Sequence, residues 1–181
     1  MNLYMPRFAK QAAALLFHLS VCGFLFSQEI DSESSRVDFE IENFGINKVK
    51  GYFKGMQGSV VFDPQKPDAI SFDVCISAET VSSGNKKRDA HLREDDFFNV
   101  MYHPEICFVS NKVTPRQTDY IAEGTLTILG ISKPAVIVFT AHEKRLVGTM
   151  KVNRSDFSLG KGTNELMVGE EAKVTIYCYF K

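Results

Sequence analysis

Val37, Phe39 and Ile41 alternate with Asp38, Glu40 and Glu42, the period of two that half-buries a β-strand. "GSVVFDP" at 58–64 is a second such run, stopped by Asp-Pro, and "AISFDVCIS" at 69–77 puts Ile70, Phe72, Val74 and Ile76 on one face. "EICFVSNKV" at 105–113, "YIAEGTLTILG" at 120–130, "PAVIVFTAH" at 134–142, "LVGTMKVN" at 146–153 and "AKVTIYCYFK" at 172–181 continue the series. Gly55, Gly130 and Pro134 punctuate it as turn signals. The spacing predicts an all-β chain of about eight antiparallel strands, a sandwich or a closed barrel. "VVF", "AVIVF" and "TIYCYF" do not alternate cleanly, so their inward face is not fixed locally and something must cover the outer one.

One stretch breaks the strand pattern. "KKRDAHLREDDFFN" at 86–99 lies between the third and fourth runs, and no β-branched residue occurs from Gly84 to Asn99. Ser82, Ser83 or Asn85 can cap a helix here, and "HP" at 103–104 ends it. At helical spacing Asp89 meets Arg93 and His91 meets Asp95, while Leu92, Phe97 and Phe98 supply an apolar face. The stretch reads as a charged helix anchored by aromatics.

Composition then narrows the class. Of 181 residues, 44% are hydrophobic and 24% charged, globular values that exclude wholesale disorder. Net charge is −1 and no basic cluster is longer than Lys86–Arg88, which argues against nucleic acid as a partner. Fifteen Phe and no Trp point to a large aromatic core or an aromatic-lined cavity.

The first residues stand apart. Arg7 and Lys10 precede the apolar run Ala12 to Phe26, which ends at Ser27-Gln28, the layout of a secretory signal peptide over 1–27. The run contains His18 and is short of the ~20 apolar residues of a spanning helix. Val21 stands where lipoprotein processing needs a small residue, which argues against lipidation of Cys22. Cleavage leaves 19 basic against 22 acidic side chains, a net −3, and directs the chain to the periplasm or the medium. Residues 28–35 read as a short linker, and 36–181 as the domain. Cys75, Cys107 and Cys178 remain; three thiols cannot all pair internally, so at most one disulfide forms and the residues are structural.

Candidate chemistry is sparse. His91 with Asp95 is an oriented imidazole, yet no GxSxG elbow surrounds Ser82 or Ser83. No third ligand at metal spacing accompanies His91, Asp95 and Asp96, so no metal is expected. His103 in "YHP" reads as a turn residue, and His142 lies at a strand end. "RSDFSLGKGTNE" at 154–165 lacks the order of a phosphate-binding loop and reads as a loop between the last two strands. What remains is apolar strand faces, and a barrel of about eight strands has a lumen that is either filled or holds one small ligand.

"GYFKGMQGSVVFDP" at 51–64, "SSGNKKRDAHLREDDFFNV" at 82–100, "HPEICFVS" at 103–110, "GTLTILGISKPAVI" at 124–137, "NRSDFSLG" at 153–160 and "VGEEAKVTIY" at 168–177 occur in an order that resembles the YceI-like family. The resemblance implies an eight-stranded antiparallel, lipocalin-like barrel with one helix between strands three and four. It also implies an exported protein that holds a long isoprenoid or similar amphiphile, a quinone included, without catalysis and with no other cofactor. Arg88, Asp89, His91, Leu92, Phe97 and Phe98 become a signature that fixes the helix at the barrel end. Strand alternation assigns Phe39, Ile41, Phe72, Val74, Phe108, Leu126, Ile128, Val138, Val152 and Ile176 to the lumen. Transient membrane contact and a homodimer are compatible with this. Asn43 departs from the histidine common in the family's first strand, and "FTAHEKRLVGTM" is a shorter connection than usual. The alternatives are an enzyme or accessory factor of isoprenoid-quinone or lipid metabolism using His91 and Asp95, and a filled barrel serving as an interaction protein.

Overall fold

The alternating runs become the strands of one antiparallel sheet in a computed structural model that describes residues 27–43, 47–162 and 168–181. The signal-peptide reading, Cys22 included, falls outside these residues except at Ser27. The strands are β1 (Arg36–Asn43), β2 (Asn47–Phe53), β3 (Gln57–Val61), β4 (Ser71–Ser77), β5 (Glu105–Pro115), β6 (Tyr120–Ile128), β7 (Ile131–His142), β8 (Arg145–Asn153) and β9 (Val168–Tyr179). Their order across the sheet is β2-β1-β9-β8-β7-β6-β5-β4-β3. The short "FTAHEKRLVGTM" connection is a two-residue turn, since His142 pairs directly with Arg145.

The sheet has nine strands where about eight were expected, and β2 is the addition. "NKVKGYF" hides its alternation because glycine occupies an inward position, between Val49 and Phe53. A Cβ at Gly51 would lie 2.4 Å from the Phe39 ring and 2.6 Å from the Ser82 carbonyl. The missing side chain is the space into which Phe39 packs. Only Lys54–Met56 separate β2 from β3, and Gly55 turns there at φ +73°. β2 pairs with β1, and β3 pairs with β4. The two end strands of the sheet are therefore consecutive in the chain, and the sheet curls back towards itself as a barrel whose edges are joined by this short connection.

Two segments seal what the ladder leaves open. Beside β2, Tyr52 and Ser82 exchange backbone hydrogen bonds of 2.8 and 3.0 Å, and the Lys54 amide donates to Thr80 Oγ1 at 2.8 Å. At the opposite end, Gln28 bridges to Val60 and Ile30 to Phe180. Ser35 is fully buried, and its Oγ accepts from the Tyr179 amide at 2.8 Å. Residues 28–35, read from sequence as a short linker, have backbone hydrogen bonds to Val60 and Tyr179 and so pack along the barrel.

Cys75 and Cys107 face each other across β4 and β5 and form a disulfide; Cys178 is free and buried. Burial pushes the Cys178 thiol up to about 12, so it stays protonated at neutral pH.

Candidate functional site

The helical stretch is shorter than its sequence suggests. The α-helix, α1, covers Lys86–Leu92, capped by the Asn85 side chain, which accepts from the Lys87 and Arg88 amides. Glu94, Asp95 and Asp96 follow at the C-terminal end, where the helix dipole disfavours negative charge, and residues 93–102 continue as turns. The expected His91–Asp95 pair does not form. His91 Nε2 instead lies 2.7 Å from Asp96 Oδ2, on side chains 60% and 43% exposed.

The signature residues tie loops to the helix. Asp89 accepts from the Ser83 amide at 2.8 Å and from the Ser83 hydroxyl. Arg88 donates to Ser83 Oγ at 2.7 Å and to the Ser83 carbonyl at 2.9 Å. Arg93 donates to the carbonyls of Glu79 (2.7 Å), Val81 (2.8 Å) and Asp89 (3.0 Å), not to the Asp89 carboxylate. These bonds hold residues 79–83 against β2, where they close the wall. Leu92, Phe97 and Phe98 point the other way and line the lumen. Phe98 meets Phe53 edge-on at 5.2 Å between ring centres.

This arrangement separates two roles. Phe98→Ala is expected to destabilise the protein by about 3 kcal/mol, the lower end for a buried aromatic because the ring is only partly buried. His91→Gln is expected to change stability by less than about 0.5 kcal/mol, as at other exposed positions. Thermal melts of the two variants check this; a larger loss at His91 than at Phe98 would reverse the assignment.

Below α1 lies the lumen, a cavity of about 240 Å³. Its wall contains Phe39, Ile41, Phe72, Val74, Phe108, Leu126, Ile128, Val152 and Ile176, as the alternation suggested. Val138 does not line it; its neighbours Ile137 and Phe139 do. The reason is register: Ile137 stands opposite Ala122 and Val138 opposite Ile121, and Ala122 faces in. "AVIVF" is apolar on both faces, so parity had to come from the partner strand. Phe139 is one of the lining residues that the alternation did not pick out. It stacks on Tyr120 at 5.1 Å and meets Phe72 at 5.2 Å and Phe62 at 6.1 Å, an aromatic plug at the end opposite α1.

Among the described lining residues Arg154 alone is charged. It is 8% exposed and its donors go to backbone: Nε to the Gly169 carbonyl (2.9 Å), Nη1 to Leu159 (3.1 Å) and Gly160 (3.4 Å), and Nη2 to Val168 (3.2 Å). The stretch from 154 is thus not only a surface loop. Arg154–Phe157 form a 3₁₀ turn with Arg154 and Phe157 buried, and the Gly160 amide donates to the Asp96 carbonyl at 2.8 Å. Glycine spacing distracted from the arginine beside it.

The described residues bring Cys75, Glu105 and Cys107 within metal-ligand reach of one another, but with the two sulfurs bonded no thiolate is available. The lumen can exclude water and pack hydrocarbon. Among the described residues its wall holds no imidazole or carboxylate, and His91 is not part of it.

The YceI-like domain profile matches residues 28–180. The chain is 32% identical over 127 residues to a UPF0312 protein of Photorhabdus laumondii, a match covering 70% of this chain and 66% of that protein. The chain spans between about half and two thirds of the length of such curated relatives, 54% in a Pectobacterium carotovorum protein. Among solved structures, Burkholderia cenocepacia BcnA superposes with a TM-score of 0.78 at 23% identity, over 84% of this chain and 100% of that one. A polyisoprenoid binding domain from Saccharophagus degradans superposes at 0.62 and 13% identity, over 84% and 97%. Both share the fold.

Proposed function

The chain belongs to the YceI-like family, and we propose that it is an exported binding protein that holds the hydrocarbon chain of an isoprenoid or similar amphiphile in its lumen. The observation that carries this reading is the cavity wall, apolar among the described residues except for an arginine that spends four of its five N–H donors on carbonyls. Each CH₂ moved there from water contributes about 0.8 kcal/mol, so a chain binds without strong polar contacts. The Saccharophagus degradans domain, named for polyisoprenoid binding, supports the ligand class. Arg7, Lys10 and the apolar run support export, and the Cys75–Cys107 disulfide fits an oxidising compartment. The ligand is gained and given up by transient contact with a membrane.

The cavity also limits the guest. About 240 Å³ exceeds the ~150 Å³ apolar cavity that takes up benzene, but falls below the ~300–1,000 Å³ of common ligand pockets. The lumen holds a segment of a long chain rather than all of it.

Native mass spectrometry of protein exported from its host and purified without detergent tests the reading. A co-purifying hydrophobic ligand, released by organic solvent, is expected. Protein that emerges empty, and stays empty after incubation with isoprenyl alcohols, would refute it.

A further inference from the structure

A guest longer than the lumen must leave it somewhere, and its polar end needs water. Among the described residues the wall offers that end little, as four of the five N–H donors of Arg154 go to carbonyls. Described aromatic and aliphatic residues narrow both ends of the barrel, Leu92, Phe97 and Phe98 at one and the Tyr120–Phe139 stack at the other. The side wall is different. β7 pairs with β6 along Ile131–Phe139, and β8 pairs with β9 along its whole length. Yet β7 and β8 pair with each other only from Val138↔Thr149 to His142↔Arg145.

Residues 131–137 of β7 and 150–153 of β8 therefore diverge, each left with one unpaired edge. Pro134, which has no amide hydrogen to give a neighbour, sits in the unpaired stretch. An outer groove follows this divergence, lined by Lys133, Val136, Val138, Lys151 and Phe157 among others. Leu126, Met150, Val152 and Val174 belong to both its wall and that of the lumen. One layer of side chains separates the two spaces. Phe157, 3% exposed, comes from the turn after β8 to pack against β7.

We propose that the divergence between β7 and β8 is the side opening through which the amphiphile enters and leaves, its chain in the lumen and its polar end in the outer groove. This rests on the lumen being the ligand site. The groove suits the role because its floor is apolar and its rim carries Lys133, Lys151, Asn111 and Thr175. A polar end finds hydrogen-bonding partners and water there without crossing the barrel end.

The test uses the full-length protein with Cys22→Ser and Val136→Cys, the latter a position 51% exposed on the groove, coupled to a polyethylene glycol maleimide. Labelling is selective, because Cys75 and Cys107 are bonded and the Cys178 thiol is buried and protonated. The probe is a dansyl-tagged farnesyl amine, followed by stopped-flow fluorescence for loading and release and by titration for capacity. Labelled Val136→Cys is expected to slow both rates roughly tenfold or more with capacity unchanged. The same label at Met101→Cys, 84% exposed beside α1, is expected to leave them within about twofold. Unchanged rates at Val136, or slowing at Met101 instead, would overturn the side opening while leaving the lumen as the ligand site. A wild-type protein that binds no probe would remove the lumen reading, and the side opening with it.

Discussion

An Arg154→Met variant is expected to lose about 4 kcal/mol or more, since each buried carbonyl left without a donor costs about 1–3 kcal/mol. The guanidinium bonds four of them, in Leu159, Gly160, Val168 and Gly169. These carbonyls belong to the two flanks of the connection from β8 to β9, so the arginine fastens that connection from beneath. Methionine fills comparable volume against the lumen wall, so the loss is of hydrogen bonds and not of packing. Arg154→Lys is expected to recover little, because an ammonium is a point donor and cannot reach carbonyls spread around a planar fork. Urea unfolding at pH 7 measures both variants. A loss below about 1 kcal/mol for Arg154→Met would mean that water reaches these carbonyls once the arginine is gone.

How legible this site was depends on what kind of information each residue carries. Phe39 and Ile41, Phe72 and Val74, and Leu126 and Ile128 alternate with polar neighbours, and the pleat alone points them inward. Val138 failed because its strand is apolar on both faces, and only pairing with Ala122 sets its parity. β2 was hidden by Gly51, whose value lies in what it lacks and becomes visible only when Phe39 packs over it. Helical spacing suggested Asp89–Arg93 and His91–Asp95 pairs; the chain leaves the helix at Leu92 and satisfies backbone carbonyls instead. Arg154 gave no signal, since a buried arginine bound only to main chain looks in sequence like any surface one. The divergence of β7 from β8 likewise depends on ladder pairing, which no single strand encodes.

Phe108→Asp is expected to abolish retention of lipid at pH 7. Phe108 is 5% exposed and sits in the lumen wall between its cross-strand partners Val74 and Leu126. Arg154, the charged residue of the described wall, is already held by carbonyls, and burying an unpaired carboxylate costs far more than the several CH₂ contacts that a guest would add. Water is drawn in around the charge and the hydrocarbon is displaced. The same burial raises the carboxyl's folded-state pKa above its unfolded value of about 3.9. The folded state then binds the proton more tightly, so the variant loses stability as pH rises from the unfolded pKa through the folded one. Below that window the group is neutral in both states, so the charge penalty vanishes and retention should partly return as pH falls towards 4. This recovery separates a charged lumen from a collapsed fold, which acid would not repair. Circular dichroism and solvent extraction of bound lipid, run on Phe108→Asp at pH 4 and pH 7, decide the matter. A folded variant that keeps its full load of lipid at pH 7 would place the ligand outside the lumen.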